Sequence, residues 1–341
     1  MLGKVALMKQ GIDTLTALQD IVGKTPPAIA LKVIDHLDEN ALRWLGVSPL
    51  MFACFGDGAS LAITPGGGKP GFATGDARAL RLPLAALDDA SVARPGGGFG
   101  SLFLAPGIGE TLRVNGRVDG IEDGEAVIAV EECYVHCAKA LIRSGFWSAT
   151  PADDVPGDAS AFVSASRFMA LATIDGHGHA DLSPKGDPAG SLTHLEGGAL
   201  WFADRPGNRR VDSFRNILDQ PRVAAVLIVP GSSRVAIFGG TARLTADEEA
   251  RARFAVQGKV PNLAACIDPL SLELRASPAL ERACLWPLSA KAEGIDPAKI
   301  FIAHVKANRE KGMGARLAGA VMSIPGLMRK GLDKDYRDNL Y

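Results

Sequence analysis

The sequence predicts a mainly β (α+β) protein made of two tandem copies of one small antiparallel barrel, with helices flanking each copy. Three observations lead there. The chain has 341 residues, beyond the size at which one hydrophobic core usually stops growing. Short apolar runs alternate with Gly/Pro-rich turns, a pattern of hairpin-joined strands rather than of βαβ units. Four pairs of segments also resemble each other in the same order along the chain, the mark of an internal repeat.

The repeat begins with SPLMFACFG at 48–56 and SRFMALATI at 166–174, each read as a buried strand. The turns TPGGGKPG from Thr64 and SPKGDPAG from Ser183 follow, at an offset of 119. Next, GSLFLAPGIGETLRVNGR from Gly100 lies over AAVLIVPGSSRVAIFGGT from Ala224, and Trp147 in RSGFW pairs with Trp286 in RACLW. The offset never decreases along the chain. Its growth has a source in ADEEARARFAVQGK, a helical segment that only the second copy carries. The predicted organisation is a first repeat with leading helices over 1–150, a Pro/Gly/Ala/Asp-rich linker over 151–165, a second repeat over 166–310 and a tail over 311–341. Before the first repeat, Thr14 to Val22 and Pro26 to Leu45 read as helices, the second with Pro26-Pro27 in its first turn. A further helix is predicted near Pro297 to Arg309, and the apolar stretch Leu317 to Met328 reads as an amphipathic helix docked on the protein.

Composition is that of a soluble globular protein, with 47% hydrophobic and 22% charged residues. A net charge of −1 argues against nucleic-acid binding through overall charge. Five cysteines, an odd and sparse set, point to reduced thiols and a cytoplasmic setting. The N-terminus lacks the apolar run of a signal peptide, and the Leu317 stretch, broken by Pro325, is too short to cross a bilayer. No membrane or nucleic-acid partner is expected. The glycine runs fit neither G-x-G-x-x-G between strand and helix nor a G-x-x-x-x-G-K-[ST] loop. Cys133, His136 and Cys137 lack the second Cys/His pair a zinc site needs, so no metal is expected. His177 and His179 read as exposed hairpin-turn residues.

The densest polar constellation lies in the second repeat. SPKGDPAG places Ser183, Lys185, Gly186 and Asp187 at a strand end whose glycines permit close approach of a ligand. ADRPGNRRVDSFRN then brings Asp204, Arg205, Asn208, Arg209, Arg210 and Ser213 to the junction between a strand and a helix predicted over Val211 to Asp219. A phosphate there would meet free N–H groups at the helix start, hydroxyl and amide donors, guanidinium forks and the Lys185 ammonium. The same residues would also make an ordinary solvated, turn-rich surface.

These motifs resemble the FMN-phosphate site of the pyridoxamine 5′-phosphate oxidase-like split-barrel superfamily, and more narrowly a bacterial branch of probable FMN-dependent enzymes. The resemblance rests on SPKGDPAG (183–190), DRPGNRRVDSFRN (204–216), GETLRVNGR (109–117) and HCAKALIRSGFW (136–147). It implies two tandem FMN-binding split barrels forming a pseudo-dimer. In similar single-domain proteins FMN lies between two subunits. The first repeat keeps GETLRVNGR and HCAKALIRSGFW, whereas the second keeps both phosphate motifs. The resemblance therefore implies one composite site per chain. The second repeat would hold the phosphate, and Thr111, Arg113, His136 and Lys139 of the first would lie near the isoalloxazine ring. Ala180 stands where the family's strand arginine sits, so the oxidase activity itself is not implied. The expectation is an FMN-dependent oxidoreductase acting on a small molecule, as a monomeric pseudo-dimer or a homodimer. The alternatives are a non-catalytic flavin module for storage or sensing, and a deazaflavin- or haem-binding split barrel.

Overall fold

The structure is a computed structural model and describes residues 11–151, 155–207, 209–308 and 327–341. The first repeat contributes strands β1 (Leu50–Gly56), β2 (Leu61–Gly67), β3 (Thr74–Gly75), β4 (Ala79–Pro83), β5 (Gly98–Leu104), β6 (Thr111–Glu122) and β7 (Glu125–His136). The second contributes β8 (Phe168–Ile174), β9 (Ala180–Gly186), β10 (Thr193–Glu196), β11 (Ala199–Ala203), β12 (Arg222–Ile228), β13 (Arg234–Thr245) and β14 (Ala264–Ala276). All their pairings are antiparallel. The first sheet runs β2-β1-β5-β6-β7-β4-β3, and the second runs β9-β8-β12-β13-β14-β11-β10. The two orders are the same when each strand is matched with the one seven places later. Gly11 and Ile12 add a short extra strand to β13.

The duplication extends to single hydrogen bonds. Ser48 Oγ donates to Trp44 O at 2.9 Å ahead of β1, and Ser166 Oγ donates to Phe162 O at 2.8 Å ahead of β8. Each closes the helix that leads into its repeat.

Strands β1 and β8 read as unbroken apolar runs because both faces of each are buried. Met51, Ala53 and Phe55 face the core of the first repeat, and Met169 and Leu171 face that of the second. The alternate residues Leu50, Phe52, Phe168, Ala170 and Ala172 share a third core between the repeats. There the rings of Phe52 and Phe168 lie 5.8 Å apart. The halves are thus joined by a hydrophobic interior and not merely tethered.

The helices used below are α1 (Leu15–Val22), α2 (Glu39–Val47), α3 (Lys139–Arg143), α4 (Ala159–Ala165), α5 (Asp212–Asp219), α6 (Glu248–Ala252), α7 (Pro278–Ala283), α8 (Pro297–Ala307) and α9 (Leu327–Asp338). The span Pro26 to Leu45, read from sequence as one helix, is divided. Only Pro27–Ala30 and α2 are helical. Between them Ile34 exchanges backbone hydrogen bonds with Cys133 of β7, a long-range pairing that overrides local helix propensity. The expected linker at 151–165 ends in α4, whose Phe162 and Val163 join the second core. The apolar stretch from Leu317 lies, up to residue 326, outside the described residues. Among the described residues no helix is long and apolar enough to cross a membrane.

Candidate functional site

Corresponding strand ends and helices meet at two seams between the repeats. At the first, α3 of the first repeat lies across the end of β9 in the second. A Cβ on Gly186 would fall 1.9 Å from the carbonyl oxygen of Ala140. At the second, α7 lies across the end of β2, and a Cβ on Gly67 would fall 2.3 Å from the carbonyl oxygen of Ala279. Each contact requires glycine.

The seams differ in what surrounds them. At the α7 seam, Arg282 donates to Gly67 O and Ala86 O, and Asp88 accepts from Ser277 Oγ and Ala279 N. Protein groups saturate one another there. At the α3 seam a pocket of about 700 Å³ opens between the repeats. Seven cationic side chains line it against three carboxylates.

The second repeat supplies one wall. Ser183, Lys185 and Gly186 reach it from β9, Asp187 follows the strand, and Asp204 and Arg205 come from the loop after β11. Lys185 Nζ sits 4.4 Å from the Phe214 ring centroid and 3.9 Å from Asp204 Oδ1. Burial lowers the Lys185 pKa and raises that of Asp204, so mutual attraction at this distance does not make up for lost solvent. An anion brought beside Lys185 would raise its pKa again. Arg205 is already engaged, its Nε donating to Asp187 Oδ2 at 2.7 Å, while burial raises the Asp187 carboxyl. Arg210 is engaged too, paired with Asp212 and lying 4.5 Å from the Tyr134 ring centroid. Arg209 is different. Its backbone is left-handed, with φ 57°, its carbonyl accepts from Thr25 Oγ1, and its guanidinium lines the pocket with no ion-pair partner among the described residues. Asn208 lies outside the described residues.

Helix α5 starts at this wall. Its N-cap, Val211, gives no side-chain hydrogen bond. Helices α1, α2, α4, α6, α7 and α8 are capped by Thr14, Asp38, Asp158, Asp247, Ser277 and Asp296, each accepting from a first-turn N–H. The first turn of α5 instead presents Ser213 and Phe214 to the pocket, with its N–H groups free of a side-chain cap.

The first repeat supplies the opposite wall through His136, Cys137, Lys139, Ala140 and Arg143. Burial holds the His136 ring neutral, with its pKa well below the usual value, and its shielded Nδ1 has no hydrogen-bond partner among the described residues. Lys139 Nζ meets Asp335 Oδ2 at 2.8 Å and Asn339 O at 2.9 Å, both from the tail. Arg143 donates to Leu340 O and Pro206 O. Tyr341 lies between two guanidinium groups, 5.5 Å from Arg143 and 5.8 Å from Arg205.

Thr111 and Arg113 lie beside the pocket rather than on its wall. Thr111 pairs with His136 across β6 and β7, and its buried hydroxyl has no hydrogen-bond partner among the described residues. Arg113 is fully buried between the repeats, 2.7 Å from Asp181 Oδ1 and 3.1 Å from Ser183 Oγ. Burial would lower its pKa, but Asp181, Tyr134 and Asp212 hold the guanidinium charged.

Several contributors were not singled out from sequence. Arg143 lies four residues after Lys139 within the HCAKALIRSGFW motif, so helical spacing could have found it. Asp212 lies in DRPGNRRVDSFRN. Asp335 and Tyr341 carry no sequence signal that links them to the site.

Residues 155–280 match the sequence model of the family described as Pyridoxamine 5′-phosphate oxidase. No curated protein matches the chain. Solved structures similar over about one third of it include the following three. HupZ of Group A Streptococcus is 18% identical over 33% of this chain and 88% of its own, with a TM-score of 0.26. General Stress Protein 26 of Bacillus anthracis is 16% identical over 33% and 89%, with a TM-score of 0.25. A Clostridium acetobutylicum protein of the pyridoxinephosphate oxidase family, related to general stress protein 26, is 12% identical over 33% and 86%, with a TM-score of 0.23. Residues 155–280, which hold the second of its two antiparallel sheets, thus carry the chain's likeness to the pyridoxamine 5′-phosphate oxidase family.

Proposed function

We propose that this chain is an FMN-binding flavoprotein, an FMN-dependent oxidoreductase acting on a small organic molecule, with one composite flavin site at the α3 seam. One observation carries the reading. The 700 Å³ pocket is built from both repeats, is rich in cations, and ends on the uncapped start of α5.

The donor set fits a phosphate monoester. The free first turn of α5 and the Ser213 hydroxyl offer neutral hydrogen bonds, Arg209 offers an unpaired fork, and Lys185 offers a desolvated ammonium. The pocket volume lies within the range of small-molecule sites, roughly 300–1,000 Å³. Arg205 and Arg210, held by Asp187 and Asp212, keep the loop in shape rather than meeting the phosphate themselves. On the opposite wall, the neutral His136 and the cationic Lys139 flank the space left for the ring. When bound, the flavin supplies hydride or two-electron exchange, and the protein supplies position and electrostatics.

The test is the visible spectrum and chromophore stoichiometry of the purified protein, followed by NAD(P)H-driven reduction. One FMN per chain that is reduced and reoxidised is expected. Arg209→Ala and Lys139→Ala should each lower the flavin content. Unchanged content in both variants would sink the composite site. A yellow protein that neither accepts nor passes electrons would leave a binding module without turnover.

A further inference from the structure

A second chamber of about 260 Å³ opens beside the phosphate pocket, sharing His136, Lys139 and Arg209 with it. Its own lining is mostly apolar, from Pro26, Ile29, Val135 and Phe301, with Glu110 accepting from the Tyr336 hydroxyl and one buried cation, Lys32. We infer that this chamber is a binding site for a flat, apolar molecule bearing an anionic oxygen, with Lys32 as its anchor, and that it is the substrate subsite. Only the word substrate rests on the flavin reading above.

Lys32 is 3% exposed, yet no carboxylate pairs with it among the described residues. Its Nζ donates to Val135 O at 2.7 Å and lies 5.2 Å from the Tyr134 ring centroid. The Phe301 ring centroid lies 5.9 Å away, and one carbonyl and two ring faces still leave two of the three donors of a buried ammonium without a hydrogen bond. A buried charge so poorly matched is costly, so its place calls for a reason beyond packing. Burial pushes its pKa down to about 7, so a proton is easily held or lost there.

The lysine is also held by dedicated contacts. Ile34, two residues on, pairs with Cys133 through hydrogen bonds of 3.1 and 2.8 Å and lays the segment along β7. Asn308, just past α8, donates to Leu31 O at 3.0 Å and to Val33 O at 2.8 Å, gripping the backbone on both sides of Lys32. Leu31, Phe301 and Val305 pack together beneath it. Two separate segments, β7 and α8 with its C-cap, therefore fix one cation at the wall of an apolar space, the arrangement of a preformed subsite.

The experiment uses the full chain and 2-naphthoate as the probe, followed by its fluorescence, with neutral 2-methoxynaphthalene as control and FMN affinity measured in parallel. Saturable binding is expected that persists with FMN present. Lys32→Met should weaken 2-naphthoate about tenfold or more, while sparing the neutral analogue and FMN. Ile29→Trp should fill the chamber and exclude both naphthalenes. Equal 2-naphthoate affinity in Lys32→Met, or displacement of the probe by FMN, overturns the inference and leaves the flavin reading standing. Loss of FMN binding in the wild type, with the Lys32-dependent probe site intact, overturns the flavin reading and supports the chamber.

Discussion

Arg113 of the first repeat and Asp181 of the second form an ion pair at 2.7 Å in the interior of the molecule, with 1% and 9% of their side chains exposed. Tyr134, Ser183 and Asp212 complete the shell around the guanidinium. A buried pair of this kind is weak evidence of net stabilisation, but breaking it leaves a charge stranded. Asp181→Ala should therefore lower unfolding free energy by about 3–5 kcal/mol. The double variant with Arg113→Met should recover part of that loss. Urea unfolding of the three proteins checks it, and strictly additive losses would show that the two residues do not act as a pair.

The paired glycines separate stability from ligand binding. Gly186→Ala and Gly67→Ala each force a Cβ into a helix carbonyl, at 1.9 and 2.3 Å before relaxation. Each should destabilise by about 1–3 kcal/mol, the usual cost of overpacking. Only Gly186→Ala displaces the wall that carries Lys139 and Arg143. Chromophore per folded molecule should fall in that variant and hold in Gly67→Ala. Equal flavin content in the two would detach the α3 seam from cofactor binding.

Acid should weaken the attachment of α8. Asp38 caps α2 and meets His304 Nε2 at 3.3 Å. Burial works against its ionised form, but hydrogen bonds from His304, Ala41 and Asn40 outweigh that and hold the carboxyl well below its usual range. A depressed folded pKa gives stability that is present above the unfolded value, about 4, and lost as pH falls through the folded one. Asp38→Asn should lose about 1 kcal/mol near neutrality and show a flatter acid limb. Thermal midpoints measured across the acid range decide it.

Lys32 gives a slope of the same sign at the other end of the scale. Its folded pKa of about 7 lies below the ordinary value of 10.5. Between those values the unfolded chain binds the extra proton, so stability rises with pH across that window. Below it the folded chain carries the buried charge at full cost. Lys32→Met should melt several degrees higher near neutral and slightly acidic pH, with the advantage vanishing above about pH 10. A destabilised variant would mean that the ammonium is satisfied where it stands.

Much of this arrangement was legible in the sequence, for identifiable reasons. Leu50 to Gly56 and Phe168 to Ile174 stand out because burial on both faces leaves no polar alternation. The glycine turn at Gly186 and the basic loop after β11 stand out because a strand end followed by a helix start is a local pattern. What pairs across the chain is not local. Thr111, Arg113 and Asn115 alternate onto one face of β6, which strand periodicity gives, but nothing nearby says that Asp181 waits on that face for Arg113. Arg205 and Arg210 read as ligand forks, and only the fold reveals that Asp187 and Asp212 already occupy them. Lys32 was hidden for the same reason, since the groups that fix it come from positions 133, 135, 301 and 308.

Arg143 and Arg282 each follow by three residues the alanine whose carbonyl faces a strand-end glycine, and each donates to a carbonyl three residues past a strand, Pro206 after β11 and Ala86 after β4. Their remaining donors diverge: Arg282 turns to the backbone of Gly67, and Arg143, on the pocket wall, turns to the carbonyl of Leu340 in the tail. In an assembly of two identical chains, every change at one junction is copied at the other. Here a mutation acts at a single address, so one junction is free to harden into mortar while its twin keeps an open, cation-lined pocket.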